Sequence, residues 1–174
     1  EDFFYVTNKK FTENGSSCIF HTPEEKINLF VPLVGEFNLM NAIQVITILY
    51  KLNFSLKDLS RSIKSFPGVP GRMEKIEVEN NDFSALLPTV IVDYAHTPDG
   101  LNKVLQSIKK ICEGKLITVF GCGGDRDTGK RPLMGSIAEE FSDYIFITSD
   151  NPRSEDPKKI VSEILKGIKK RNNI

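Results

Sequence analysis

Thr89-Val90-Ile91-Val92-Asp93-Tyr94-Ala95-His96-Thr97-Pro98-Asp99-Gly100-Leu101 is the stretch that decides how the rest of the chain is read. Residues 89–93 are a short β-branched run of the kind that forms a buried parallel strand. Thr97 then offers a helix cap. Pro98 suits the first helical position, where its missing N–H would have had no partner, and Asp99 faces the positive end of the helix dipole. Leu101, Val104, Leu105, Ile108 and Ile111 follow on one helical face. A strand that passes straight into a helix is the repeating unit of an α/β sheet.

Reading outward toward the C-terminus, the pattern repeats. Residues 116–120 predict a strand, 133–141 a helix, 144–148 a third strand, and 157–170 a helix bearing Ile160, Val161, Ile164 and Leu165. Such alternation predicts a mostly parallel sheet with helices on both faces. Toward the N-terminus the period changes. Residues 3–7, 17–21 and 27–31 are β-prone and separated by Asn14-Gly15 and by Pro23. Leu39, Ile43, Ile46 and Leu49 place a helix over 38–52, and Ser55-Leu56-Lys57-Asp58 resembles a capping box before a helix carrying Leu56, Leu59 and Ile63. Phe66-Pro67-Gly68-Val69-Pro70-Gly71 cannot continue a helix and reads as a hinge, followed by a strand of unspecified partner over 73–78. The expected domains are therefore 1–70 and 71–174.

Composition narrows the function. The 174 residues are 40% hydrophobic, enough for an ordinary core, and 23 basic residues balance 23 acidic ones. No global field recruits nucleic acid or an anionic membrane, and the lysine-rich 166–171 reads as a solvated helix end. Cys18, Cys112 and Cys122 fit neither a disulfide framework nor zinc ligation, so a reducing cytoplasm is expected. No apolar run approaches the roughly 20 residues a spanning helix needs. The chain starts without Met and without a signal sequence, in what reads as mid-domain; a piece of a longer protein is expected.

In an open parallel sheet, ligands lie beyond the carboxyl ends of the strands. Three polar clusters fall there: Asp93 to His96, Gly121 to Lys130, and Asp150-Asn151-Pro152-Arg153. Residues 124–130 have the spacing of a phosphate-cradling loop, but Arg131 stands where magnesium-binding Ser or Thr is needed, and two aspartates inside would repel phosphate. Two readings remain for that loop: a tight turn with exposed charges, or one presenting Arg126 as a carboxylate fork. Asp93 reads equally as a helix- or solvent-facing acid and as a grip on a ribose diol. His96 reads as a loop-packing residue or a base, with no nucleophile at triad spacing. Asp150 to Arg153 is either an Asn-Pro turn capping the next helix or a trio of acid, amide and guanidinium matched to an amino acid. Asn38 could simply cap its helix, and Asn41 could sit on the surface of its first turn.

Five segments together resemble the Mur ligase family. They are Gly35-Glu36-Phe37-Asn38-Leu39-Met40-Asn41-Ala42, Pro70-Gly71-Arg72-Met73-Glu74, Val92 to Asp99, Val119 to Asp127 with Gly129-Lys130-Arg131-Pro132, and Thr148 to Pro157. They fall in family order and cover nearly everything from Gly35 onward. The resemblance implies the end of a central ATPase domain followed by a Rossmann-like C-terminal domain, truncated at its far end. It implies ATP as nucleotide, with Asn38 and Asn41 beside the adenine and Arg72, Asp93 and His96 toward the nucleotide from the C-terminal side. It also implies that Arg126 binds a carboxylate of the incoming amino acid. Asp150, Asn151, Pro152 and Arg153 match the motif of members that choose meso-diaminopimelate.

The implied reaction adds meso-diaminopimelate to UDP-N-acetylmuramoyl-L-alanyl-D-glutamate through an acyl phosphate, in peptidoglycan biosynthesis. The implied catalytic residues, magnesium ligands, phosphate loop and UDP-sugar domain would lie before Glu1, and the rest of the amino-acid pocket after Ile174. No catalytic or metal-binding residue is assigned here, and the piece alone is expected to be inactive. Three rivals stand beside this reading: a folylpolyglutamate-synthetase-like ligase, a non-catalytic ligand-binding module, and a kinase built on Lys130.

Overall fold

A computed structural model describes residues 3–76 and 87–169. Two compact units divide the chain, Glu1–Tyr94 and Ala95–Ile174.

The first unit opens with an antiparallel sheet of β1 (Tyr5–Thr12), β2 (Gly15–His21) and β3 (Lys26–Val31), in that order. The turn at Asn14 works because Gly15 adopts φ 140, and a Cβ there would stand 2.5 Å from the Val31 carbonyl oxygen. β1 is longer than expected and slips register between Thr7 and Lys10, where Asn8 takes φ 53. α1 (Glu36–Lys51) and α2 (Leu56–Lys64) pack on this sheet. Phe20, Leu29, Val31, Leu39, Ile43, Ile46 and Leu56 form their core. Ser55 caps α2 as expected, accepting from the Asp58 amide at 3.4 Å; the Asp58 carboxylate instead meets Arg61 at 3.4 Å.

The Pro-Gly segment turns twice in the left-handed region, at Gly68 (φ 87) and Gly71 (φ 68). β4 (Glu74–Ile76) and β5 (Val90–Val92) then pair antiparallel, Glu74 opposite Val92. This corrects the reading of 89–93 as a buried parallel strand: Val90 and Val92 are 44% and 43% exposed. A β-branched run announces a strand, but its direction and cover come from its neighbours. Residues 77 and 78 of the expected strand lie outside the described residues.

The second unit contains the parallel pair β6 (Ile117–Phe120) and β7 (Tyr144–Ile147) with α3 (Pro98–Lys109), α4 (Lys130–Phe141) and α5 (Pro157–Leu165). The Thr97 hydroxyl caps α3 by accepting from the Gly100 amide at 3.2 Å, as its sequence predicts. Leu101, Leu105, Leu116, Cys122, Met134, Ile160 and Ile164 make one core, flanked by Phe120 and Ile147. Burial alternates along both strands. Thr118 and Ile145 face the helices, while Ile117, Val119, Tyr144 and Phe146 are exposed. Helix cover on both faces is therefore not found among the described residues: the three helices share one side. α5 ends at Leu165, short of the expected 170, and Lys170 lies outside the described residues.

Candidate functional site

The loops after β6 and β7 are bolted together, and glycine makes this possible. The Gly124 amide donates to the Asn151 carbonyl at 2.8 Å. A Cβ on Gly124 would lie 1.9 Å from the Pro152 carbonyl oxygen, and one on Gly121 2.4 Å from that of Thr148. No side chain fits between these backbones. Gly123 is flanked by Arg153 and Asp150: its Cβ would stand 3.0 Å from Arg153 Nη1 and 3.8 Å from Asp150 Oδ2. Arg153, itself at φ 48, donates from Nη1 to the Gly124 carbonyl at 2.5 Å, and its amide donates to Asn151 Oδ1 at 3.2 Å. Three of the four residues Asp150 to Arg153 are exposed; Pro152 is half-buried.

Asp125 extends the seam. It sits at φ 52, and its carboxylate accepts from Ser154 Oγ at 2.7 Å and from the Ser154 amide at 3.1 Å. Those two bonds hold its carboxyl below the usual carboxylate range. The Asp125 amide donates to Glu155 Oε1 at 2.6 Å. Arg126 is the next residue. Its guanidinium is exposed and makes no hydrogen bond or ion pair among the described residues. That is how a carboxylate fork would be offered to a ligand.

The phosphate-loop reading of 124–130 is not supported by this arrangement. The amides of Gly124, Asp125 and Gly129 are already taken, by Asn151, Glu155 and Asp127. Lys130 Nζ donates to the His96 carbonyl at 2.7 Å, away from any phosphate cradle.

Beneath the two loops lies a group that sequence reading missed. Arg131 is fully buried. Nη1 donates to Glu155 Oε2 at 2.9 Å and Glu163 Oε2 at 2.6 Å; Nη2 donates to Glu155 Oε1 at 2.8 Å and the Gly123 carbonyl at 3.2 Å. Nε has no partner among the described residues. The two carboxylates push the guanidinium pKa further up, and Arg131 in turn holds Glu155 down at about 2. A signal was available. Arg131 stands three, four and seven residues before Met134, Gly135 and Ala138, so it extends their buried stripe on α4 by one turn; the expected helix began at 133 and left it out.

The residues expected at the nucleotide lie elsewhere in the chain. Asn38 and Asn41 are one turn apart on α1 and so share a face. Asn38 is not the cap: Gly35 takes that position, and Asn38 Nδ2 donates back to the Val34 carbonyl at 2.8 Å. Asn41 is exposed with no recorded partner among the described residues. Asp93 Oδ2 accepts from the Met73 amide at 2.8 Å, with Met73 at φ 49. The Arg72 guanidinium lies over the Tyr94 ring, 4.8 Å from its centre. These links hold residues 71–74 to 93–94. His96 is exposed at the start of the second unit.

Residues 71–174 match the family described as Mur ligase, glutamate ligase domain. The chain belongs to the Mur ligase family. A relative from Prochlorococcus marinus subsp. pastoris, UDP-N-acetylmuramoyl-L-alanyl-D-glutamate–2,6-diaminopimelate ligase, is 79% identical over all 174 residues, which cover 34% of its length. A protein of the same name from Synechococcus elongatus is 44% identical over 165 residues, 95% of this chain and 32% of that one. The chain thus spans about a third of the curated relatives it matches. A solved structure of a ligase of that name superposes with TM-score 0.67 and 35% identity, over 98% of this chain and 34% of the other. A folylpolyglutamate synthase from Thermotoga maritima superposes with TM-score 0.73 at 19% identity, over 95% and 38%. The Mur ligase fold is therefore shared across that rival class, and fold alone does not choose between them.

Proposed function

We propose that this chain is the part of an ATP-dependent ligase that binds meso-diaminopimelate and adds it to UDP-N-acetylmuramoyl-L-alanyl-D-glutamate, in the cytoplasm, for peptidoglycan synthesis. The observation that carries the reading is Arg126: an exposed residue without a protein partner among the described residues, next in the chain to Asp125, which is bonded to Ser154 and Glu155 in the loop after β7. The identity of the relatives supports the same choice over folylpolyglutamate synthesis.

In this reading residues 1–70 end the ATPase domain and 71–174 form the amino-acid-binding domain. Arg126 takes one carboxylate of the amino acid, and Asp150, Asn151, Pro152 and Arg153 form the part that receives its second ammonium and carboxylate. Lysine lacks that carboxylate and would leave Arg153 without its anion, a mismatch that costs affinity. Asn38 and Asn41 lie beside the adenine; Arg72 and Asp93 hold the nucleotide, with His96 nearby. ATP phosphorylates the D-glutamate γ-carboxylate. The amine then attacks that carbonyl carbon, and phosphate leaves from the tetrahedral intermediate. This chain supplies orientation and charge to that step. The magnesium ligands are assigned to the remainder of the parent protein.

The test is phosphate release by the complete parent chain with ATP, magnesium and the UDP-dipeptide, adding meso-diaminopimelate or L-lysine. Release that depends on diaminopimelate is expected. Preference for lysine would remove the role given to Arg153, and no release with either from folded, ATP-binding protein would favour the binding-module reading.

A further inference from the structure

Buried ion pairs add little net stability, because well-packed apolar side chains of similar volume often do as well. Arg131 nonetheless spends four of its five N–H donors on Glu155, Glu163 and the Gly123 carbonyl, and its Nε has no partner among the described residues. What the cluster joins is more telling than what it stabilises. Arg131 lies in the first turn of α4, Gly123 belongs to the loop after β6, Glu155 to the loop after β7, and Glu163 to α5. Glu155 is the central member. Its Oε1 accepts from Arg131 and from the Asp125 amide, so one carboxylate reaches from the core to the residue next to Arg126. Arg153 is tied to the same loop through the Gly124 carbonyl.

We infer that Arg131 and Glu155 are positioning residues that set the separation of the Arg126 and Arg153 guanidiniums, and so the affinity for an amino acid with two carboxylates. The inference rests on the proposed ligase reading. Neither residue touches substrate. Each acts by holding the loops on which the two guanidiniums are mounted, and the glycines at 123 and 124 leave no side chain to do that work instead.

The test uses the parent ligase with Glu155→Gln, which keeps side-chain length and removes the charge, and Arg131→Lys, which keeps the charge and removes the paired Nη donors. Asp143→Asn is the structural control: Asp143 accepts from the Leu116 amide at 2.8 Å at the other end of β6. KM for meso-diaminopimelate is expected to rise about tenfold, about 1.4 kcal/mol of binding, in both loop variants. KM for ATP should stay within about twofold, a change worth only tenths of a kcal/mol. Asp143→Asn should lower the thermal midpoint and leave both KM values where they were. Unchanged KM for diaminopimelate in the folded loop variants, with an active wild type, overturns this inference alone. So does an equal rise in Asp143→Asn. A wild type that ignores diaminopimelate overturns the ligase reading and this inference with it.

Discussion

Gly124 and Pro152 are in such close backbone contact that a single methyl group on the glycine would stand 1.9 Å from the proline carbonyl oxygen. The contact lies where the loops after β6 and β7 cross, so local packing and the geometry of the proposed site share one position.

Gly124→Ala must push those loops apart, because the obstacle is backbone and not a flexible side chain. A loss of about 2 kcal/mol is expected, in the range of overpacked sites. Gly114→Ala is the matched control, with nothing within 4 Å of its added methyl, and should change stability by no more than about 0.5 kcal/mol. Urea unfolding of both variants checks the difference.

Glu155 makes stability depend on acid. Its pKa is held at about 2 against an ordinary 4.5, chiefly by the Arg131 hydrogen bond and then by the Asp125 amide. A depressed carboxyl contributes its full stabilisation above the unfolded value and loses it as pH falls toward the folded one. The urea midpoint should therefore fall between pH 4.5 and about 2, and less steeply in Glu155→Gln. Parallel slopes for the two proteins would show that Glu155 does not carry the effect.

Arg126→Ala in the parent ligase should raise KM for diaminopimelate by at least about tenfold, the factor that 1.4 kcal/mol supplies, with ATP affinity kept. Lys130→Ala separates this from kinase chemistry: a kinase built on Lys130 loses ATP binding with it, whereas the ligase reading gives Lys130 no phosphate to hold and expects ATP binding to survive. Isothermal titration with a non-hydrolysable ATP analogue reads both variants.

Ser55→Ala removes the cap on α2 and should cost about 1 kcal/mol. Ser55→Asp should restore it, since aspartate accepts the same amide and faces the dipole favourably. Thermal melts of the three proteins decide the matter.

Local order was legible because it depends on near neighbours. Thr97, Pro98 and Asp99 announced α3; Ser55 announced α2; the apolar spacing placed α4 and α5. The loops after β6 and β7 were legible as candidate sites, since ligands of open α/β sheets lie beyond the carboxyl ends of the strands. Partnership was not legible. Val90 and Val92 announce a strand but cannot specify that β4 runs antiparallel beside it, because pairing is chosen between segments far apart in sequence. For the same reason Arg131 read only as a misfit in a phosphate loop. Its burial follows from α4's own stripe, but its carboxylates stand 24 and 32 residues away. Composition and periodicity thus determined that this protein alternates strands and helices and which loops are its candidate site. Only the tertiary structure decided which charges face solvent as forks and which are buried as ties, because a guanidinium acquires that role from the carboxylates folding brings to it.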